Sequence, residues 1–327
     1  MRKRSAALTS AVGLMVLMVI AVLSLHAGAA KNSWHEIMEA LTAFDASDTM
    51  HLIVVDMRLP RLLAGMLVGA ALAVSGAVMQ GMTQNPMADS GLLGLSSGAG
   101  FAVSLCMSVL GVNSQLGLLL GSFLGALAGA GTVYLISALV PGHQMSLKLV
   151  LSGAMVSTFL SALSQALALK AGKAQSVMFW TLGSLGGITW QQVCTGAPFI
   201  LAGLVLAFAL SRKITLLSVT EEVAKGLGVN ILLVKSLGTL AVVLLSGVSF
   251  VLAGSITFVG ILTAHFCRFL VGADYRKIIP LSALSGAVLL TLSDILAKGF
   301  NPPVEYPVGT FIALVGVPVF LFYARRK

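Results

Sequence analysis

The chain has 327 residues, 57% of them hydrophobic and only 9% charged, with a mean hydropathy of +1.00. Ordinary globular chains carry roughly 25% charged residues, and a soluble chain of this length could not bury so much apolar surface. The formal net charge of +9 raises a nucleic-acid reading, but basic residues also collect in the cytoplasmic loops of membrane proteins, and no nucleic-acid partner is expected.

A helix needs about 20 apolar residues to cross the hydrocarbon core. Ten such segments follow one another, at about 7–29, 58–82, 91–111, 115–140, 147–169, 190–211, 232–252, 254–269, 278–297 and 306–323. The pattern predicts an all-α, polytopic membrane protein with a single transmembrane domain over 1–327. The alternating strands of a β-barrel are not seen.

The first segment follows Met1-Arg2-Lys3-Arg4 and imitates a signal peptide. An uncleaved span is favoured, because everything downstream is also apolar. The second opens on Arg58-Leu59-Pro60-Arg61. Proline suits a first helical turn, and arginines three apart share a helix face. Next comes Gln84-Asn85-Pro86-Met87-Ala88-Asp89, with Pro86 and Gly91 as helix breakers. Gln80 and Gln84 add amides on one face at i,i+4.

Gly94-Leu95-Ser96-Ser97-Gly98 matches a nucleophile pattern. A nucleophilic serine needs a base within reach, and neither His143 nor His265 has an evident orienting carboxylate. An intramembrane serine hydrolase is therefore a minor alternative. Gly117, Gly121, Gly125 and Gly129 form a smooth stripe that allows close helix packing. Residues 170–189 are too polar and Gly-rich to span and read as a re-entrant or interfacial piece, with Trp180 and Trp190 as belt residues.

Residues 211–236 form the longest inner polar segment. Ser218 or Thr220 can cap a short helix through Glu221, Glu222, Val223 and Ala224, and Gly226 or Gly228 can end it. This is the shape of a docking element. Asp294 is the one acid inside a predicted span. A proton-driven secondary transporter usually needs more, so that reading is disfavoured.

With both termini inside, the inner side holds 14 of the Lys and Arg residues and the outer side 6, as the positive-inside rule predicts. No G-x-x-x-x-G-K-[ST] loop is present to cradle ATP phosphates. Cys106, Cys194 and Cys267 are far apart and read as packing residues. The five histidines form no metal motif, so no cofactor and no metal are expected.

Four ordered blocks carry a family resemblance: residues 58–100, which begin RLPRLLAGMLVGAAL and end GLLGLSSGAG; EEVAKGLGVN at 221–230; residues 254–297, which run from GSITFVGILTAHFCR to TLSDILA; and VEYPVGTFIALVGVPVFLFYARRK at 304–327. Together they resemble the FecCD-type permeases, transmembrane subunits of type II ABC importers for iron-siderophores, haem and cobalamin. The resemblance implies the cobalamin-importer-permease-like fold and no ATP hydrolysis by the chain itself. It also implies a multi-pass place in the cell (cytoplasmic or inner) membrane with both termini cytoplasmic.

The implied partners are two ATPase subunits, an extracytoplasmic binding protein, and a second permease, identical or paralogous. The cargo implied is an iron chelate (siderophore or haem) or a related metal chelate, with cobalamin as the alternative. The resemblance assigns docking of the binding protein to Arg58, Arg61 and Lys298. Coupling to the ATPase falls on two short helices at about 216–230, through Glu221, Glu222, Ala224, Gly226, Leu227 and Gly228. An inner gate falls on Asn85, Met87 and Ser146. His265 and Arg268 are kept from the family's phrase and read as structural or ATPase-facing, with Ala264 where the family has proline.

Overall fold

Lipid offers a backbone no hydrogen bonds, so long apolar runs fold as helices. A computed structural model describes residues 6–28, 32–89, 91, 94–140, 145–173, 182–302 and 304–324. Among the described residues the helices are α1 (Ala6–His26), α2 (Trp34–Thr42), α3 (Thr49–Thr83), α4 (Leu95–Ser108), α5 (Gln115–Leu139) and α6 (Met145–Lys170). After them come α7 (Trp190–Leu217), α8 (Glu221–Gly226), α9 (Ile231–Ala253), α10 (Val259–Val271), α11 (Tyr275–Gly299) and α12 (Val308–Ala324). Each of the ten expected segments holds an apolar helix. Seven are long enough to cross a membrane, and α4, α10 and part of α12 are shorter apolar helices.

Helices α3 and α9 are central. Every residue from Ala71 to Met82 is buried, and so is every residue from Leu245 to Ala253. A helix that is apolar all round belongs inside the bundle. By contrast α1 is peripheral: Leu8, Met15 and Met18 are exposed apolar side chains, and Ile20, Ser24 and Leu25 are buried.

Small residues set the spacing. A Cβ on Gly69 or Gly286 would strike the other's backbone, so α3 and α11 touch main chain to main chain. Gly76 meets Gly260 across α3 and α10 in the same way. The predicted stripe on α5 is used: Gly125 and Gly129 rest on the backbone of Gly98 and Gly94 in α4, and Gly121 faces Cys106. Between lipid-embedded helices the attraction is van der Waals contact, which close approach maximises.

Three elements depart from the expectation. Helix α3 begins at Thr49, nine residues before the predicted span, and widens into a π turn at Ile53–Arg58. Pro60 lacks the N–H that would continue the ladder, and its ring presses on the carbonyl four residues back. A π turn accommodates this and leaves the Val55 carbonyl to accept the Trp190 indole N–H at 2.9 Å. Trp190 is thus a tie between α7 and α3, beyond the interfacial role expected.

Helix α2 is unforeseen. Ser33 caps it, and Ser33 and Glu36 exchange hydrogen bonds in a capping box. Lastly, residues 216–230 hold one short helix, α8, instead of two, because α7 continues to Leu217. Of the 170–189 segment, residues 174–181, including Trp180, lie outside the described residues.

Candidate functional site

At one end of the bundle, Arg61 of α3, Asp294 and Lys298 near the end of α11, and Glu305 in the loop that follows bring together four charges. Asp294 accepts from Arg61 Nε and Nη2 at 3.0 and 2.9 Å, and from Lys298 Nζ at 2.8 Å. Arg61 Nη1 donates to both carboxylate oxygens of Glu305 at 2.8 Å. Lys298 also reaches Ser24 Oγ of α1 at 3.4 Å. The four formal charges cancel. Arg58 turns toward α1, donating to the carbonyls of Leu25 and His26 and to Asn32 Oδ1.

This geometry differs from the exposed cations the sequence reading expects. Arg58, Arg61 and Lys298 are buried at 7%, 9% and 6% exposure. Charges near lipid seek partners inside the protein, and Asp294 and Glu305 supply them. Sequence reasoning missed both acids as partners. The available signal was Asp294 itself, a lone carboxylate within a span and four residues from Lys298. Glu305 is half-exposed (46% of its side chain) and is the open edge of the cluster.

At the opposite end, α3 stops at Gln84, which adopts φ +52°. Its side-chain N–H donates to the Leu217 carbonyl at 2.8 Å. Asn85 folds the following loop back on itself. Its Oδ1 accepts the Met87 N–H at 2.9 Å, and its carbonyl accepts the Ala88 N–H at 3.1 Å. Asn85 and Met87 are half-buried, and Asp89 is buried. Ser146 stands in the first turn of α6, and its side chain lies outside the described residues. Arg268 donates to buried Gln80 and to the Tyr275 hydroxyl at 3.0 Å. It ties α10 to α3 and α11, which makes it structural. Helix α10 runs unbroken through buried Ala264.

Helix α8 lies at this same end. Thr220 is the cap, its hydroxyl accepting the Val223 N–H at 3.2 Å, and Glu221 and Glu222 occupy the first turn, where acids favour the helix dipole. Gly228, at φ +76°, turns the chain out so that Val229 N–H reaches the Ala224 carbonyl at 3.0 Å. Ala224 is fully buried as the anchor. Glu221 is bridged to Lys235 at the start of α9, and that hydrogen bond holds its carboxyl below the usual range. Val219, Val223 and Leu227 remain exposed.

Among the described residues the G-x-S-x-G serines form no catalytic group. Ser97 donates to the Ser157 hydroxyl at 3.1 Å, and the cleft that Ser96 and Ser97 line contains neither histidine nor acid. Cys106 and Cys267 are buried as expected of packing residues, whereas Cys194 is exposed.

Comparison with known proteins agrees with the fold and the motifs. The chain is 44% identical over 315 residues to the iron(3+)-hydroxamate import system permease protein FhuB of Bacillus subtilis, covering 96% of this chain and 82% of the relative. It is 34% identical to the hemin transport system permease protein HmuU of Yersinia pestis, covering 96% and 94%. A solved metal-chelate type ABC transporter in an inward-facing conformation superposes with a TM-score of 0.81 at 29% identity, covering 96% of this chain and 98% of that one. Residues 16–326 match the profile of the FecCD transport family, and the chain belongs to that family of ABC-importer permeases.

Proposed function

We propose that this chain forms one half of the pathway of an importer for an iron chelate. Cargo arrives at the Arg61 end from an extracytoplasmic binding protein and leaves at the Gln84 end into the cytoplasm, where both termini lie. The distribution of Lys and Arg, 14 inside against 6 outside, supports this orientation. A second permease, identical or paralogous, completes the pathway, and two ATPase subunits drive it. The iron(3+)-hydroxamate relative, at 44% identity, favours a siderophore over haem or cobalamin.

The observation that carries the reading is α8. A six-residue helix, capped at Thr220 and anchored by buried Ala224, displays Val219, Val223 and Leu227 to the surroundings. Apolar side chains held on a rigid, charge-tied helix outside the spans fit a cleft in a partner, here the ATPase. Glu221, Glu222, Gly226, Leu227 and Gly228 shape this knob. Purified permease with its ATPase should hydrolyse ATP faster when the loaded binding protein is added. Replacing Glu221 and Glu222 together by alanine should abolish that stimulation, and unchanged stimulation would remove the coupling assignment.

Docking of the binding protein exchanges partners at the opposite end. Glu305, half-exposed, stands where a carboxylate of the binding protein would stand beside Arg61. Arg58 and Lys298 support the same mouth from within. Glu305→Gln should therefore tighten binding-protein affinity, read by surface binding to the reconstituted permease. Weaker or equal affinity would count against the exchange. At the inner end, Asn85, Met87 and Ser146 border the exit.

A further inference from the structure

Helices α4 and α10 have 14 and 13 residues, about 20 Å each at 1.5 Å per residue, short of the roughly 30 Å core. Both are entered through a residue with left-handed backbone, Gly94 at φ +76° and Phe258 at φ +69°. Gly260 packs on Gly76, eight residues from the Gln84 end of α3, so the first turn of α10 lies about 12 Å inside that end, with the break at 254–258 deeper still. The chain before α4 comes to meet it: a Cβ on Gly91 would contact Thr257 at 3.3 Å. Non-helical backbone at membrane depth persists only when it is covered by protein or lines an aqueous cavity, and paired broken helices of this kind mark transporter binding sites.

A cleft of about 240 Å³ opens at this junction, between α4, α6 and the break. Eight of its twelve lining residues carry a hydroxyl or an amide, and none is charged. Ser157, Ser161 and Gln165 recur at i, i+4 and i+8 on one face of α6, opposite Ser96 and Ser97 of α4. The other face of α6 shows Met155, Phe159 and Leu163. The clefts beside α10, α11 and α1 are instead walled mainly by Leu, Val and Phe.

We propose that this cleft is the water-filled wall that this half of the pathway presents to a hydrophilic chelate whose surface carries oxygen acceptors. The proposal rests on the importer reading and adds the substrate class. Serine hydroxyls donate to carbonyl, hydroxamate or carboxylate oxygens, and Phe101 and Phe250 contact the alkyl parts of the ligand. Each neutral hydrogen bond is individually weak because water competes for the same groups. Among the described lining residues no cation stands to trap an anionic chelate, so the cargo is oriented and then released. An apolar macrocycle would offer these hydroxyls no partner beyond those they already have, such as the Ser97–Ser157 pair.

The test uses the complete transporter in proteoliposomes, with ferrioxamine B and hemin as probes. The triple variant Ser157→Ala, Ser161→Ala, Gln165→Leu should lose ferrioxamine uptake about tenfold, with assembly verified by co-purification of the ATPase. Unchanged uptake, or wild-type uptake of hemin alone, overturns the proposal. Wild type that takes up neither probe on ATP addition would sink the importer reading instead. A second measurement does not depend on transport: Ser161→Cys in a Cys194→Ala chain should react with a polar, membrane-impermeant maleimide, and ferrioxamine should slow the reaction. Absence of labelling overturns the aqueous cleft whatever the transport result.

Discussion

Asp294 is shared by two cations, and its loss leaves Lys298 buried without an opposing charge and Arg61 with half-exposed Glu305 alone. Removing one partner of a buried ion pair costs about 3–5 kcal/mol, whereas a half-exposed pair such as Arg61–Glu305 contributes about 1 kcal/mol or less. Asp294→Asn should therefore lower the thermal unfolding midpoint in detergent far more than Glu305→Gln. Similar losses in the two variants would contradict the shared role. The same geometry changes what charge reversal at Arg61 means. Arg61→Glu would place a third carboxylate beside Asp294 and Glu305, so any loss of docking in that variant reports disruption of the fold before it reports a lost contact.

Glu221 gives a pH prediction at the same scale. Its carboxyl is held below the ordinary value of 4.5 by the Lys235 hydrogen bond. The bond thus adds stability at every pH above that ordinary value and loses it as pH falls through the lowered one. The stability gap between wild type and Glu221→Gln should stay constant from about pH 8 to about pH 5.5 and close in stronger acid. A gap that closes nearer neutrality would mean that the bridge does not protect the carboxylate.

Between elements, the contacts that decide the fold are backbone contacts at glycine. Gly98 in α4 meets the carbonyl of Gly125, so even alanine forces the helices apart. Gly131, two residues beyond Gly129 and so on the opposite face of α5, has nothing within 4 Å of an added Cβ. Gly98→Ala should destabilise the chain, and Gly131→Ala should be neutral or stabilising by roughly 0.5–1 kcal/mol through backbone entropy. Equal effects would show that the α4–α5 contact is looser than the structure has it. The i,i+4 recurrence of glycine on α5 was legible in the sequence. Its partner was not, because Gly94 and Gly98 lie inside a pentapeptide whose residues also spell a nucleophile motif.

Across the whole molecule, the number and order of the ten apolar helices followed from hydropathy alone, because lipid leaves a long apolar run little choice but helix. Thr220, Glu221 and Gly228 announced α8 through local capping chemistry. Helix α2 escaped because nine residues are far short of a membrane span, although its amphipathic pattern and the capping box of Ser33 and Glu36 were readable. The π turn before Pro60 escaped because proline equally suits a plain first helical turn, and the partner of the freed Val55 carbonyl, Trp190, is 135 residues away in sequence.

What the sequence by itself determined is therefore what local rules govern: the ten apolar segments, their helix caps, the family motifs and the bias of charge between the two sides. What only the tertiary structure decided is which groups meet. Arg61 and Asp294 are 233 residues apart, and Gly91 and Thr257 come from different halves of the chain. No local rule links such pairs. Their meeting turns cations that look exposed in the sequence into a neutral buried cluster, and two short breaks into one hydroxyl-lined cleft. The physical reason is that charges and irregular backbone in a membrane must find their partners inside the protein, and folding chooses those partners.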